Sequence, residues 1–208
     1  MTATLVASRL DHGSGRGPGD ARANAASIGL WVFMGVVTAL FSLFGMAYLI
    51  RMNSSDAVTL ALPWQLWIST ALLVAGSVTF ERASAASRRE DAVRARGLLL
   101  AGGLCAIAFL CVQLWAWNAL LAAQVMPAGN PAGSFFYLLT AMHGLHVAGG
   151  LLAWAWVMRA FRREPEGGAW RIALCARYWH FMLAVWLALF AMLSWVTPDV
   201  ARFVCGTA

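Results

Sequence analysis

Residues 98–123 read LLLAGGLCAIAFLCVQLWAWNALLAA, and no acidic or basic side chain interrupts them. As an α-helix rising about 1.5 Å per residue, a run of this length reaches about 39 Å, more than the roughly 30 Å of a bilayer's hydrocarbon core. A membrane strand would alternate polar and apolar positions over about ten residues, whereas this run is apolar on every face. The stretch therefore reads as a transmembrane helix, and the fold depends on how often such a stretch recurs.

It recurs four times. Apolar runs extend over about Ile28 to Ile50, Leu60 to Phe80, Ser134 to Met158 and Ala173 to Val196, the last free of charge from Tyr178 onward. The sequence predicts an all-α, polytopic membrane bundle of five transmembrane helices. They form a single domain over residues 28–208, preceded by a flexible cytoplasmic tail over residues 1–27. Gly13, Gly15, Gly17, Pro18 and Gly19 cluster in that tail, which lacks the apolar core of a signal peptide. Composition agrees. Of 208 residues, 61% are apolar and 12% charged, with mean hydropathy +0.70. A soluble domain carries about 25% charged residues, so a soluble enzyme and a disordered chain are both excluded.

All fifteen basic residues are arginines, and thirteen of them fall on one side of the predicted membrane. The tail holds Arg9, Arg16 and Arg22. The second-to-third connection holds Arg82, Arg88, Arg89, Arg94 and Arg96, and the fourth-to-fifth holds Arg159, Arg162, Arg163, Arg171 and Arg177. Only Arg51 and Arg202 lie opposite. Arginine marks the cytoplasmic side, which places the N-terminus inside and the C-terminus outside. The net charge of +6 and pI near 9.9 then reflect topology and anionic lipid head groups, with no call for nucleic acid. Trp31, Trp154, Trp156 and Trp179 fall near the cytoplasmic span ends, and Trp64, Trp67, Trp115, Trp117 and Trp195 near the outer ends, the pattern of an aromatic belt.

No Asp, Glu or Arg stands in the middle of a span, which argues against an ion-transport or proton-wire role for this chain alone. His143, His146 and His180 are the titratable groups of note. His143 and His146, three apart, share a helix face and are open to two readings: a metal or haem site, since neutral imidazole binds both, or hydrogen bonding across helices. Depth decides against a metal shared with His180. His146 is about 18 Å below its helix end and His180 about 3–5 Å below its own. The four cysteines, Cys105, Cys111, Cys175 and Cys205, show no metal spacing and read as small packing residues. Gly35/Ala39, Gly102/Ala106, Gly144/Ala148 and Gly149/Ala153 are spaced for close helix approach. Phe181, Trp186, Phe190 and Met192 are open to a partner helix or to acyl chains.

Four segments carry a resemblance. Phe135-Phe136 followed by Thr140-Ala141-Met142-His143-Gly144-Leu145-His146-Val147, and Tyr178-Trp179-His180-Phe181 followed by Val185-Trp186, resemble signatures of subunit III of haem–copper oxidases. Leu66-Trp67-Ile68-Ser69-Thr70-Ala71-Leu72-Leu73 and the pair Gln113 and Trp117 are similar to two further segments of that family. The resemblance, to the five-helix bacterial form, covers about Ile28 to Val196. It implies a subunit without haem or copper of its own, packed against catalytic subunit I of a cytochrome c or quinol oxidase, with subunit II and other subunits nearby. It implies two helix groups, one–two and three–five, around a V-shaped cleft filled by phospholipids, and a supporting part in proton uptake. His143, His146, His180, Trp179, Trp186, Gln113 and Trp67 are then packing or lipid-facing candidates, and Arg88 and Arg89 candidates for lipid head groups. Many members of that family carry intramembrane carboxylates at positions where this chain has Ala116 and Leu183. That departure keeps open an accessory role beside a nitric oxide reductase, and the three histidines keep open a small haem-carrying membrane protein.

Overall fold

A computed structural model describes residues 18–52, 62–125, 131–163 and 168–195. Among them every regular element is a helix: α1 (Pro18–Met52), α2 (Gln65–Arg88), α3 (Ala92–Ala122), α4 (Pro131–Arg163) and α5 (Ala169–Trp195). Four of these, α1, α3, α4 and α5, are long and apolar enough to cross a membrane. The chain is a multi-pass membrane protein. The second predicted span differs from expectation. It starts later, at Gln65, and runs on through Glu81, Arg82 and Arg88, so α2 has the length of a span, about 36 Å, without the apolarity of the other four.

α1 begins ten residues before the predicted span, at Pro18 rather than Ile28, and takes in the last ten residues of the expected tail. Proline suits the first turn, where its missing N–H has no partner to lose, and the alanines at 21, 23, 25 and 26 favour helix. The expected tail up to residue 17, with Arg9 and Arg16, lies outside the described residues, as do Arg202 and Cys205.

α2 and α3 form a tight antiparallel pair. Their connection is three residues long because the chain reverses at Glu90, whose φ is 62°. Asp91 then caps α3, its carboxylate accepting the Arg94 N–H at 3.0 Å. Small residues let the two helices close. A side chain at Gly102 would meet the Phe80 ring at 2.9 Å, so the glycine supplies the seat in which fully buried Phe80 lies. One residue on, Trp154 of α4 occupies the space over Gly103 and donates its indole N–H to the Leu99 carbonyl at 2.8 Å.

The helices do not divide into a one–two and a three–five group. α2 packs on α3 and α5, while α1 lies against α4 and α5. The cause is the polar, small-residue face of α2. Ser69, Ser77 and Ser84 are buried, and hydroxyls in lipid need protein partners, so this face is turned into the bundle. α1 sets aromatic rings instead, with Phe33 and Phe41 against α4 and α5. Its outer face, Trp31, Val32, Val36, Leu43 and Ile50, stays exposed, as a lipid-facing helix requires.

Candidate functional site

The buried face of α4 repeats at helical spacing: Phe136, Leu139, Thr140, His143 and Val147. His143 is therefore driven inward with its apolar neighbours and is 0% exposed. Its ring lies 6.3 Å from Phe41 of α1, 5.7 Å from Phe109 of α3 and 5.2 Å from Trp186 of α5. Trp186 in turn donates to the Thr70 hydroxyl of α2 at 2.9 Å. All five helices thus meet at or beside one imidazole. Neither ring nitrogen of His143 has a hydrogen-bond partner, and neither does the side-chain amide of buried Gln113 on α3. One turn from Gln113, Trp117 donates to Thr140 at 3.1 Å.

His146, one turn along α4, faces α1 and α5 instead. Its Nδ1–H donates to the Met142 carbonyl at 2.7 Å, its ring lies 5.6 Å from Phe41, and its own carbonyl accepts the Tyr178 hydroxyl at 2.7 Å. It borders a cavity of about 320 Å³ between α1, α4 and α5, lined also by Leu30, Phe33, Leu145 and Tyr178. A second cavity of about 230 Å³ shares Leu30, Ala153 and Tyr178 with it and runs on to Trp156, Trp170 and Arg171. Together they make an apolar groove with a cation at one end. The Arg171 guanidinium stands 5.6 Å over Trp156 and 5.2 Å over Trp170, and Arg177 stands 5.7 Å over Trp31. Cation–π contacts of this kind hold arginine heads beside aromatic residues.

His180 is a third environment. It is half-exposed where α5 crosses α2. Its Nδ1 bonds the Ser77 hydroxyl, and its Nε2 lies 3.2 Å from the Glu81 carboxylate. Glu81 also lies 3.6 Å from Arg88, which donates to Ser84 at 2.8 Å. Among the described residues no three His, Cys, Asp or Glu side chains gather as metal ligands. The three histidines serve three places: a core, a groove and a helix crossing.

A model of the family described as cytochrome c oxidase subunit III matches residues 31–197. The chain belongs to that family. A protein named probable cytochrome c oxidase subunit 3 from Mycobacterium bovis is 30% identical over 129 residues, which are 61% of this chain and 64% of that protein. This chain therefore covers less than two thirds of that relative's length. Similar proteins from Nocardia farcinica, named probable cytochrome c oxidase subunit 3, and Corynebacterium diphtheriae, named cytochrome c oxidase subunit 3, are each 28% identical, with 84% of this chain and 90% of theirs aligned.

Several positions of the subunit III signatures, among them His143, Val147, Trp179 and Trp186, are interior, while Trp67, Leu145 and His180 are exposed. Trp186, 1% exposed, is part of the core rather than a face for acyl chains. Trp179 and Trp154 do not belong to an interfacial belt. Trp179 is buried and stacks on Phe80 at 5.0 Å, and Trp154 sits over Gly103, because the face a residue occupies is independent of its depth. Trp67 is exposed, with its ring edge on Phe190 at 5.0 Å. Arg88 is engaged by Glu81 and Ser84, and Arg89 forms the C-cap of α2. Of the small-residue pairs, Gly102 meets a neighbouring helix closely, while Gly35 and Gly149 open on free space. Sequence reasoning did not single out Thr70, although it lies in the Leu66–Leu73 segment that carries the resemblance, or Arg171 as a groove residue, for which the adjacent Trp170 at a helix start was a usable signal.

Proposed function

We propose that this chain is the non-catalytic subunit III of a bacterial haem–copper terminal oxidase. In this reading it packs against subunit I, near subunit II and the other subunits, and stabilises the catalytic centre without contacting it. Haem and copper reside in the partner subunits, and the complex couples aerobic electron transport to proton translocation. The observation that carries the reading is the family match over residues 31–197, nearly the whole helical bundle. The side-chain geometry supports it, since His143, His146 and His180 each serve helix packing in a separate place.

The chain lies in the inner membrane with its N-terminus in the cytoplasm. The arginine distribution carries this orientation, and the grouping of Arg171 and Arg177 with Trp31, Trp156 and Trp170 agrees with an anionic interface at that end. α2 crosses as a fifth span, antiparallel to α3, with its polar face held inside the protein. Structural phospholipids bind to the surface. The groove between α1, α4 and α5 supports this, because an acyl chain fits its apolar walls and Arg171 stands at its headgroup end.

The test is a mild-detergent pull-down of tagged protein from native membranes. Co-purification of a haem–copper subunit I, oxygen consumption and stoichiometric phospholipid phosphorus are expected. Recovery with nitric oxide reductase subunits, or of a lone chain with a Soret band of its own, would overturn the reading.

A further inference from the structure

We propose that Gln113 and His143 hold a bound water that bridges α3 to α4 in the middle of the bundle. The two side chains are 7% and 0% exposed. All four of their polar atoms are buried without a hydrogen-bond partner in the protein. The helix register puts them opposite one another. Gln113 lies one turn from Phe109, whose ring meets His143 at 5.7 Å, and one turn from Trp117, which bonds Thr140, the residue one turn before His143.

The spacing of the two helices is set from outside the pair. Trp117 ties α3 to α4 through Thr140, and Trp154 ties them again through the Leu99 carbonyl at 2.8 Å. With both ties made, neither the amide nor the imidazole finds a hydrogen-bond partner in the protein. Leaving such groups unpaired costs about 1–3 kcal/mol each, and the lipid around the bundle offers no hydration to relieve it. Buried water typically makes about three hydrogen bonds to groups of this kind. One water donates to Gln113 Oε1 and to the unprotonated imidazole nitrogen, and accepts from the Gln113 amide N–H. The remaining imidazole N–H is left to the ring faces around it. Thr140 does not compete, since its hydroxyl already accepts from Trp117 and donates to the Phe136 carbonyl at 2.6 Å.

Water-edited solid-state NMR of the full chain in bilayers, with the histidine rings labelled, tests this. His143 is assigned by loss of its signal in His143→Phe. In the wild type the His143 ring is expected to receive polarisation from water several-fold faster than the backbone of Val147, its equally buried neighbour one turn on. Gln113→Met keeps the side-chain length without the amide and is expected to slow the His143 ring to the rate of Val147, with His180 unchanged. A wild-type His143 ring as slow as Val147 would overturn the proposal whether or not the variant folds. So would a direct amide-to-ring correlation between Gln113 and His143 without water transfer.

Discussion

Trp186 donates its indole N–H to the Thr70 hydroxyl at 2.9 Å, joining α5 to α2 directly beside the ring of His143. The Thr70 O–H itself donates a hydrogen bond to the Leu66 carbonyl at 2.7 Å, so the Trp186 bond adds an acceptor role to a hydroxyl that is already satisfied as a donor. The least apolar helix is thus fixed to the most central tryptophan.

Thr70→Val keeps the shape of the side chain and removes the acceptor, leaving the Trp186 indole N–H without its partner. Interhelical hydrogen bonds in membrane proteins are worth about 0.6 kcal/mol on average and up to about 1.7. A loss toward the upper end is expected, because Trp186 is enclosed. Thermal unfolding in detergent reads it, and Thr70→Ser, which restores the acceptor, should recover most of the loss.

Gly103→Val places two methyl groups where the Trp154 ring lies. The indole must then leave its seat and give up the bond to Leu99. Overpacking of this kind costs about 1–3 kcal/mol. Gly97, on the same helix with open space around it, is the control: Gly97→Ala is expected to be neutral or slightly stabilising.

Much of this architecture could be read along the chain, and much of it could not. The uncharged run around Cys111 marks a helix by length alone. Which helices touch depends on the angular position of single residues, and that position is invisible to hydropathy. Phe80 facing Gly102, and Trp154 facing Gly103, are contacts between residues with no relation in sequence. The first helps explain why α2 pairs with α3 instead of α1, and the second ties α3 to α4. Trp179 shows the same limit. Its place near a span end fits a belt residue equally well, and only the Phe80 ring stacked against it reveals the interior side. His143 was legible as a helix-face residue, while its three aromatic neighbours come from three other helices.

Glu90 holds a left-handed backbone at the α2–α3 turn, with φ of 62°. That conformation costs a residue with a Cβ about 1–2 kcal/mol, and glycine gives back about 0.5–1 kcal/mol through its freer unfolded chain. Glu90→Gly is therefore expected to stabilise the protein by about 0.5–1 kcal/mol. A small rise in unfolding temperature, with unchanged helix content by circular dichroism, is the readout.

His143→Ala and His180→Ala separate the core histidine from the crossing one. The first empties a space walled by Phe41, Phe109 and Trp186 on three different helices. Large-to-small changes in such places cost about 2–5 kcal/mol, depending on how far the walls relax. The second removes a pair with Glu81 in which both partners are about half-exposed, and a bond to the Ser77 hydroxyl, which can turn back to a carbonyl of its own helix. Exposed pairs contribute under about 1 kcal/mol, so His180→Ala is expected to fold nearly as well as the wild type. If the chain is subunit III of an oxidase, His143→Ala lowers the yield of assembled complex. On the proposed non-catalytic reading, the haem spectrum and the turnover per haem of what does assemble stay unchanged. Full assembly with altered metal centres would contradict that assignment and give His143 a part in the chemistry.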